Sequence, residues 1–337
     1  MATSRSLPSL LARRLQRLAG RDHMVCAEVR DCRVSVVDCT RTLAEARRRF
    51  GMCNIVSHVL GDLMACTILH NSMLSGEERT IARLTGNGPV RSAYVEAIRA
   101  GEVRGFAEPA SVPCDLPLSD ALGYGVLHVD RIVYNRHIPI TSVVASDGNA
   151  VAAWRLFYRN SEQIATFLHV ETHVHSRNNS VGQEACFGLL AQSMPASNRM
   201  LKQSGLRTIE LLESRRQHGP VAQQNTGVAS NAAQPGVDAK GWNVLHALFD
   251  LSEAEVSMVA ETVRLTPIDF FCRCSKAAFE AKLATLAAED LRELQLDGGV
   301  DLTCNFCNNK YRVNHEELAQ IINNKSSKSG GMAESVP

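Results

Sequence analysis

Two closely spaced cysteine pairs near the end of the chain are the residues best suited to chemistry. One residue separates Cys272 from Cys274, and two separate Cys304 from Cys307. Residues i and i+2 of an extended segment project to one side, and a Cys-x-x-Cys turn brings its two sulfurs together. Asn308 can adopt the left-handed conformation that such a turn needs. The spacing therefore predicts one Zn²⁺ held by four thiolates, in a tetrahedron with Zn–S distances of about 2.3 Å.

The segment between the two pairs predicts a small module around this metal. Apolar residues at helical spacing favour one helix over 277–286 and a second over 289–296, ending near Gly298 and Gly299. We expect too few apolar residues for an independent core, so that the metal takes over its stabilising role. Four cysteine ligands leave no open position for a water, which excludes a zinc hydrolase.

The remaining cysteines and histidines show no comparable metal spacing. The other cysteines stand among apolar or mixed residues, which indicates mostly buried thiols in a reducing compartment rather than a secreted disulfide framework. These seven are Cys26, Cys32, Cys39, Cys53, Cys66, Cys114 and Cys186. His169, His173 and His175 could mark a second metal site, but an exposed polar strand face explains them better, because no carboxylate-and-cysteine context supports a site.

Length and charge limit the classes of protein to which the chain can belong. Its 337 residues are enough for two modest domains. The 36 Lys and Arg balance the 35 Asp and Glu, which gives no general electrostatic reason to expect nucleic acid or acidic lipid. No apolar run reaches the roughly 18–20 residues of a membrane span, and no GxxxxGKS/T phosphate loop occurs. We therefore expect no nucleic-acid, membrane or nucleotide partner.

The first 21 residues differ in composition from the rest of the chain. No acidic residue precedes Asp22, and serines, arginines and leucines dominate. The arginines are Arg5, Arg13, Arg14, Arg17 and Arg21, and a stripe of leucines comprises Leu7, Leu11, Leu15 and Leu18. An amphipathic, Arg-rich and acid-poor segment is typical of an organelle transit peptide, which predicts a mitochondrial protein. The alternatives are a plastid protein, or a cytoplasmic protein with a basic helical extension.

Residues 22–198 predict an α+β core domain. Helical spacing favours helices over 43–74 and 150–168. Alternating apolar residues favour strands at 24–29, 33–38, 79–84, 90–95, 103–107, 125–129, 140–144 and 185–194. Because strands and helices do not alternate regularly, a mixed α+β domain is favoured over a doubly wound sheet.

A linker with an insert follows this core. Residues 214–241 are rich in Gln, Asn, Gly, Ala and Pro, and a segment with so little apolar surface is predicted to be disordered. Helical spacing resumes over 242–263, where Ser252 and Glu255 can form a capping box. The predicted divisions are a transit peptide at 1–21, the core at 22–198, a helical linker at 199–268, a zinc-binding module at 269–324 and a disordered tail at 325–337.

The cysteine pattern resembles the heat-shock protein 33 family of redox-regulated holdase chaperones. That family's signature is Cys-x-Cys, a spacer and Cys-x-x-Cys, and here 29 residues separate the pairs and Tyr311 follows. Further blocks resemble the family's core in the same order: GNGPVRSAYVEA at 86–97, VRGFAEP at 103–109, FYRNSEQIATFL at 157–168 and GLLAQSMPAS at 188–197. The resemblance spans roughly 22–324, and the insert at 214–241 and the seven core cysteines depart from it.

The resemblance implies a redox-activated, ATP-independent holdase rather than an enzyme. Oxidation of the zinc-bound cysteines would release zinc, unfold the linker and expose a surface that binds unfolding client proteins, with a homodimer as the oxidised form. We expect the disulfides Cys272–Cys274 and Cys304–Cys307, because the metal would hold each pair within reach, and largely reduced core cysteines. The expected client and switch surface, packed away in the reduced state, comprises Trp242, Leu245, Leu248, Phe249, Phe270 and Phe271.

Two other classes of protein carry similar cysteine spacing. A nucleic-acid-binding zinc ribbon shares the metal pattern, but this module lacks a basic aromatic surface. A thiol–disulfide oxidoreductase would use Cys304 and Cys307 directly, although such motifs normally open a helix in a thioredoxin-like unit. Both remain alternatives to the chaperone.

Overall fold

The chain forms two compact units, residues 1–271 and residues 272–337. The computed structural model describes residues 9–18, 20–76, 78–98, 100–113, 116–134, 138–174, 184–194, 199–218, 245 and 249–330. Within those residues, no helix combines the length and the hydropathy needed to cross a membrane. Cys114, His175, Trp242 and Leu248 lie outside them, as do the first eight residues and most of the predicted insert. The finer predicted domain boundaries stay predictions.

One sheet of the first unit has five strands in the order β10-β1-β2-β9-β8. The strands are β1 (His23–Val29), β2 (Cys32–Asp38), β8 (Thr166–His173), β9 (Ala185–Ser193) and β10 (Arg264–Pro267). Arg30 and Asp31 join β1 to β2 with φ of 47° and 59°, because a two-residue hairpin loop that follows the strand twist needs positive φ at both positions. Every neighbouring pair in this sheet is antiparallel.

A second sheet has six strands in the order β11-β5-β4-β3-β6-β7. The strands are β3 (Arg79–Gly86), β4 (Ser92–Ile98), β5 (Glu102–Glu108), β6 (Gly125–Ile132), β7 (Ile140–Ser146) and β11 (Asp269–Phe270). The short β11 pairs in parallel with β5, and the other pairs are antiparallel. The end of the linker is thereby built into this sheet.

A central helix holds the two sheets together. The helices of the first unit are α1 (Ser9–Gln16), α2 (Thr40–Phe50), α3 (Asn54–Asn71), α4 (Leu118–Leu122), α5 (Ala150–Phe157), α6 (Arg199–His218) and α7 (Glu253–Thr262). α3 contacts strands of both sheets and is buried almost all round, as its nearly continuous apolar sequence requires. The predicted α+β fold is confirmed, with its core around α3.

Two predictions for helical segments are wrong in extent. The helix predicted over 150–168 ends in a π-helical turn at Tyr158–Glu162, because Gln163 adopts a left-handed φ of 55° and an alternating strand sequence follows. The insert predicted to be disordered from 214 begins within α6, which continues to His218 through residues of good helix propensity. Residues 219–241 of that insert lie outside the described part.

The second unit is a small α/β module. Its elements are α8 (Lys276–Leu283), α9 (Ala288–Leu296), β12 (Gly299–Thr303), β13 (Lys310–Asn314) and α10 (His315–Gly330). The two helices between the cysteine pairs are confirmed, and the antiparallel β12–β13 hairpin was not predicted. Contrary to expectation the module has a core, because the hairpin and α10 bring together Leu283, Leu291, Val313 and Leu318.

The predicted disordered tail begins as a helix. Residues 325–330 belong to α10, whose run of helix formers continues past the predicted boundary. The ammonium of Lys325 donates a hydrogen bond to the carbonyl oxygen of Ala284 at 3.2 Å, which ties the helix to the turn after α8. Residues 331–337 lie outside the described part.

Candidate metal centre

The four predicted sulfurs lie together within the second unit. The Sγ atoms of Cys272, Cys274, Cys304 and Cys307 are all within 4.8 Å of one another. Separations of 3.8 Å between Cys272 and Cys304 and 3.3 Å between Cys274 and Cys307 approach the edge of about 3.8 Å of a tetrahedron with 2.3 Å Zn–S bonds. Among the described residues, no other group places three or more potential ligand atoms so close. The group can hold a metal ion.

Local backbone geometry places the second pair. Cys304 and Cys307 occupy the turn between β12 and β13, where the carbonyl oxygen of Cys304 accepts from the N–H groups of Cys307 at 3.3 Å and of Asn308 at 2.8 Å. Asn308 has a φ of 58°, so its predicted left-handed conformation is confirmed. The turn closes where the Cys304 N–H donates to the carbonyl oxygen of Asn309 at 2.8 Å. Both sulfurs therefore project from one tight loop.

The first pair lies on an irregular segment between β11 and α8. Cys272 and Cys274 are half-buried, whereas Cys304 and Cys307 are buried. Ser275 follows directly and caps α8, its hydroxyl accepting from the Ala278 N–H at 3.2 Å. The helix α8 thus begins two residues after Cys274, and its capped start fixes the backbone that follows the more accessible cysteine pair.

The four sulfurs can be ionised together only if a cation balances their charge, because two of them are buried and all four are close together. Desolvation raises the pKa of the Cys304 and Cys307 thiols above the ordinary value. Four thiolates crowded together in a partly buried site would repel one another unless a positive ion lies between them. A thiophilic divalent cation supplies that charge, and its binding displaces the thiol protons. The donor set therefore fits a metal of the Zn²⁺ type.

Tyr311 is a neighbour of the sulfur group whose contacts the sequence did not predict. Its hydroxyl lies 3.2 Å from Cys274 Sγ and 3.2 Å from the Cys274 carbonyl oxygen. The ring lies against Phe279, with 5.3 Å between centroids. Groups that hydrogen-bond to metal ligands orient them and adjust their basicity, and Tyr311 is placed to do so for Cys274.

A different part of the predicted site, the linker, covers one face of the five-stranded sheet. Leu245 and Phe249 are 0% and 1% exposed. They pack in one apolar cluster with residues of α7 and of the sheet strands. The side of this cluster that the sheet provides is here called the covered face. The strand residues of this cluster include Val25, Val34, Val36, Phe167, Leu189 and Ala191. Because α3 covers the opposite face of the sheet, the linker completes its burial.

Polar contacts fix α7 over the covered face. The predicted capping box at Ser252 and Glu255 is present. Glu255 Oε1 also accepts from Arg30 Nε at 2.8 Å, which joins α7 to the β1–β2 turn. The pKa of Glu255 is lowered to about 2, chiefly by the Arg30 hydrogen bond and then by those from Ser252. The Thr262 hydroxyl accepts from the Glu28 N–H at 3.0 Å, a further contact to β1.

The two phenylalanines predicted for the switch surface differ in environment. Phe270 packs partly against the core around α3, and the Arg49 guanidinium lies 5.0 Å from its ring centroid. Phe271 is 49% exposed, which contradicts the expectation that it is packed away. Successive residues of an extended segment face opposite sides, so burial of Phe270 leaves Phe271 on the other side. Met258 of α7 is also exposed, at 61%.

The chain also matches a known protein family. A profile of the family described as Hsp33 protein matches residues 22–314. This chain belongs to the Hsp33 family. Curated relatives named 33 kDa chaperonin include one from Lactobacillus delbrueckii subsp. bulgaricus, 26% identical over 312 residues that cover 89% of this chain and 96% of the relative. Another, from Prochlorococcus marinus, is 28% identical over 309 residues that cover 87% and 95%.

A solved Hsp33 structure has the same fold. The crystal structure of the 33 kDa chaperonin of Thermotoga maritima matches with a TM-score of 0.73 at 23% identity, covering 90% of this chain and 99% of that one. The family resemblance read from the sequence is thereby confirmed, together with its mixed fold and its four-cysteine end. Family membership makes the protein a chaperone.

The N-terminal segment finds no support as a transit peptide. The relatives named above are bacterial. Leu15 of α1 is fully buried against the covered face, and the Arg14 guanidinium donates to the carbonyl oxygen of Val263 at 3.2 Å. Arg21 forms an ion pair with Asp269. Removal of the segment would uncover part of the same apolar face that the linker protects.

Proposed function

We propose that this Hsp33-family chaperone is an ATP-independent holdase that oxidation of its C-terminal cysteines switches on. The observation that carries the proposal is the group of four sulfurs within 4.8 Å of one another. Such a group has two states, ligands of one metal ion or members of disulfides, and an oxidant converts the first into the second. The linker packed over the covered face supplies a surface for this conversion to release.

The sulfur chemistry begins with ionised cysteines. One Zn²⁺ bound by the four sulfurs would hold them as thiolates at neutral pH, the form that oxidants attack. Cys272 and Cys274 are the more accessible pair and would meet an oxidant first. A thiolate oxidised to sulfenic acid then condenses with a neighbouring thiol to a disulfide, whose sulfurs are poor ligands.

The expected pairing, Cys272–Cys274 and Cys304–Cys307, stays a prediction. Sulfurs of different pairs lie as close as 3.3 Å, so distance alone does not select it. Peptide mapping after peroxide treatment, with alkylation of the remaining thiols, decides the pairing. Recovery of mainly Cys274–Cys307 crosslinks would show that the predicted pairing is wrong.

Closure of one disulfide would remove two of the four metal ligands, and the second unit would lose the free energy that metal binding contributes to its folding. Zinc-binding peptides gain roughly 10–16 kcal/mol of apparent free energy from their metal, whereas whole domains are stable by roughly 5–15 kcal/mol. The core of the second unit consists of four buried side chains, too few to replace that contribution. We expect the unit to unfold once two of its four ligands are lost.

The released linker and the sheet surface beneath it would then bind client proteins. Its departure would uncover the apolar strand residues beneath it, and exposed apolar patches bind the apolar surfaces of unfolding proteins. The switch surface in this proposal keeps Trp242, Leu245, Leu248, Phe249 and Phe270. Phe271 is already half exposed and contributes to it without a change in burial. Dimerisation of the oxidised form belongs to the same proposal.

The alternative functions receive no specific support. Cys304 and Cys307 lie in a turn between two strands, whereas an oxidoreductase Cys-x-x-Cys normally opens a helix. The balanced net charge of the chain gives a nucleic-acid-binding ribbon no general attraction to phosphate. The chaperone is the function that the site and the family favour.

Replacement of the four cysteines by serine tests the zinc switch. The variant should contain no zinc, whereas the reduced parent should contain one Zn²⁺ per chain by elemental analysis. Peroxide should no longer change the aggregation of a heat-denatured client in the presence of the variant. A variant with full zinc content would show that the metal is bound elsewhere.

Mitochondrial localisation stays a prediction. Fusion of residues 1–30 to a fluorescent reporter in eukaryotic cells would test it, with Leu15→Asp as a control that breaks the apolar side of α1. Uniform cytosolic fluorescence of the unmodified fusion would argue for a segment that is simply part of the core.

A further inference from the structure

Two cysteines of the first unit, far apart in the chain, meet inside the core. Cys39 follows β2 directly, and Cys186 is the second residue of β9. Asp38 pairs with Phe187 at the end of the antiparallel register, and Cys39 and Cys186 are the residues next to that pair. The Cys39 N–H donates to the Cys186 carbonyl oxygen at 3.0 Å, which holds the two backbones together.

The two sulfurs are already in contact. Their Sγ atoms lie 3.3 Å apart, with the Cys39 thiol donating to Cys186, and both side chains are 0% exposed. Cys39 lies just past the end of β2, with a φ of −126° and a ψ of 28°, and its N–H bond to the Cys186 carbonyl oxygen keeps the two backbones adjacent. A covalent bond therefore requires the sulfurs to approach by little more than 1 Å and leaves the strand pairing in place.

We propose that Cys39 and Cys186 form a second disulfide, in the core, when the protein meets a peroxide. This goes beyond the switch proposed above, because it needs neither zinc nor the C-terminal cysteines. It departs from the expectation that the core cysteines stay largely reduced. A metal does not explain the contact, because among the described residues only the C-terminal four cysteines gather three or more ligand atoms.

The chemistry balances with two thiols and one molecule of hydrogen peroxide. One thiol sulfur attacks a peroxide oxygen, the O–O bond breaks, and the leaving hydroxide departs as water with the thiol proton. The product is a sulfenic acid, which the second sulfur attacks. The S–S bond forms as the S–O bond breaks, and the second thiol proton leaves with that hydroxyl as a second water. The two sulfurs are oxidised and the peroxide is reduced.

Burial makes this pair slower to react than the C-terminal cysteines. The hydrogen bond to Cys186 and desolvation raise the pKa of Cys39 well above the ordinary value, so little thiolate is present. A small cleft lies beside the pair and is lined by Thr40 and Ala185, their neighbours in the chain. The Arg47–Glu184 ion pair lies at the same cleft. Neither cysteine lines this cleft, so we expect peroxide to reach the pair only slowly.

The crosslink would strengthen the sheet that carries the covered face. It closes a loop spanning 147 residues between β2 and β9, two central strands of that sheet. Crosslinks over long loops restrict the unfolded chain most. If the linker departs as proposed above, the bond would keep the uncovered strands in register during the same oxidation that unfolds the second unit.

Peptide mapping of the full-length protein tests the proposal directly. Reduced protein is treated with a series of hydrogen peroxide doses that reaches complete oxidation of the C-terminal cysteines, alkylated in denaturant and digested with trypsin. We expect peptides 34–41 and 178–199 to be recovered joined, and their alkylated forms to decline together. Recovery of both peptides singly and fully alkylated at every dose overturns the proposal, as does equal pairing of either cysteine with Cys66.

Variants separate this bond from the zinc switch. The fourfold serine variant of the C-terminal cysteines should still form the crosslink, since the core pair does not need zinc. Peroxide should raise the thermal midpoint of the first unit in that variant by about 5 °C. Addition of Cys186→Ala should abolish the gain, whereas addition of Cys66→Ala, another fully buried cysteine, should preserve it. A gain that survives Cys186→Ala would assign the stabilisation to another pair and overturn the proposal.

Discussion

At the scale of single residues, the surroundings of Cys274 bear on how readily the proposed metal centre would be oxidised. Its sulfur is half-buried and has the Tyr311 hydroxyl at 3.2 Å. The hydroxyl donates to the Cys274 carbonyl oxygen at 3.2 Å, and it can turn its proton toward a Cys274 thiolate, which would stabilise the charge and lower the nucleophilicity of the sulfur. In the proposed switch, Tyr311 would therefore support both the zinc-bound state and its resistance to weak oxidants.

Tyr311→Phe should make the switch more sensitive without removing any ligand. The phenyl ring keeps its contact with Phe279, so the fold of the module is retained. Loss of the hydroxyl should weaken metal binding by about 10-fold, the lower end of the effect of such neighbours. Competition with a chelator and the rate of peroxide-induced zinc release measure this. Phe279→Leu is the control for packing alone, and an equal effect of both variants would argue against a role of the hydroxyl.

The cysteine ligands were predictable because their geometry is local. Two residues of an extended segment and a four-residue turn fix where the sulfurs point, and Asn308 could be predicted from the same turn. Tyr311 was not predictable as a neighbour of Cys274, because its position follows from the β12–β13 hairpin. That hairpin gave only a weak alternating pattern in the sequence.

At the scale of elements, the linker is the part that the proposed switch would release, and its attachment to the covered face has an apolar and a polar component. The apolar component is the burial of Leu245, Phe249, Val256 and Val259 against the covered face. The polar component is the capping box together with the Arg30 contact. Each component gives its own prediction.

Phe249→Asp should switch the chaperone on without oxidation. Phe249 is 1% exposed, and burial of an unpaired carboxylate costs several kcal/mol, so the linker should leave the covered face. The cysteines are untouched, and the reduced variant should keep its zinc while it suppresses client aggregation. Met258→Asp is the matched control, because Met258 lies on the same linker and is 61% exposed.

Hydrogen exchange over residues 249–271 reports on the same samples. Faster exchange with activity in Phe249→Asp, and neither in Met258→Asp, agrees with a linker that covers the client surface. A Phe249→Asp protein whose linker exchanges fast but which stays inactive would show that the covered face does not bind clients.

Acid should loosen α7 within a defined pH window. The pKa of Glu255 is lowered to about 2 in the folded protein, against 4.5 ordinarily. A depressed carboxyl pKa contributes stability that is fully present above about pH 4.5 and is lost as the pH falls toward about 2. Exchange protection of α7, corrected for intrinsic rates, should therefore fall across this window.

Glu255→Gln supplies the control for that titration. The variant should show lower protection at neutral pH and little further change between pH 4.5 and 2. Glu261→Gln, on an exposed position of the same helix, should behave as the parent. A parent protein with constant α7 protection across the window would remove Glu255 as an anchor.

At the scale of the whole molecule, the division into a mixed core and a cysteine module was predictable, and the arrangement of strands was not. Alternating apolar residues predicted most strands of the first unit, whereas the start of β8 was predicted as helix and the β12–β13 hairpin was not predicted. The sheet orders depend on contacts between distant segments, such as β10 with β1 and β11 with β5. The spacing of apolar residues within one segment carries no information about which distant strand it pairs with.

The same reason explains what the sequence missed about the core cysteines. Cys39 and Cys186 each stand alone in the chain, and only the pairing of β2 with β9 brings them face to face. The linker shows the opposite case. Its apolar spacing predicted a buried face, but the surface that it covers became apparent only from the packing of Leu245 and Phe249 on the five-stranded sheet.

Suppression of client aggregation by reduced and by peroxide-treated protein, with zinc release followed in the same samples, tests the proposed switch most directly. The reduced protein should hold one Zn²⁺ and leave a heat-denatured client to aggregate. The treated protein should release that zinc and suppress aggregation, with the two changes rising together along the peroxide dose. Equal suppression by both forms, or full zinc release without any gain in suppression, would contradict a switch built on the four C-terminal cysteines.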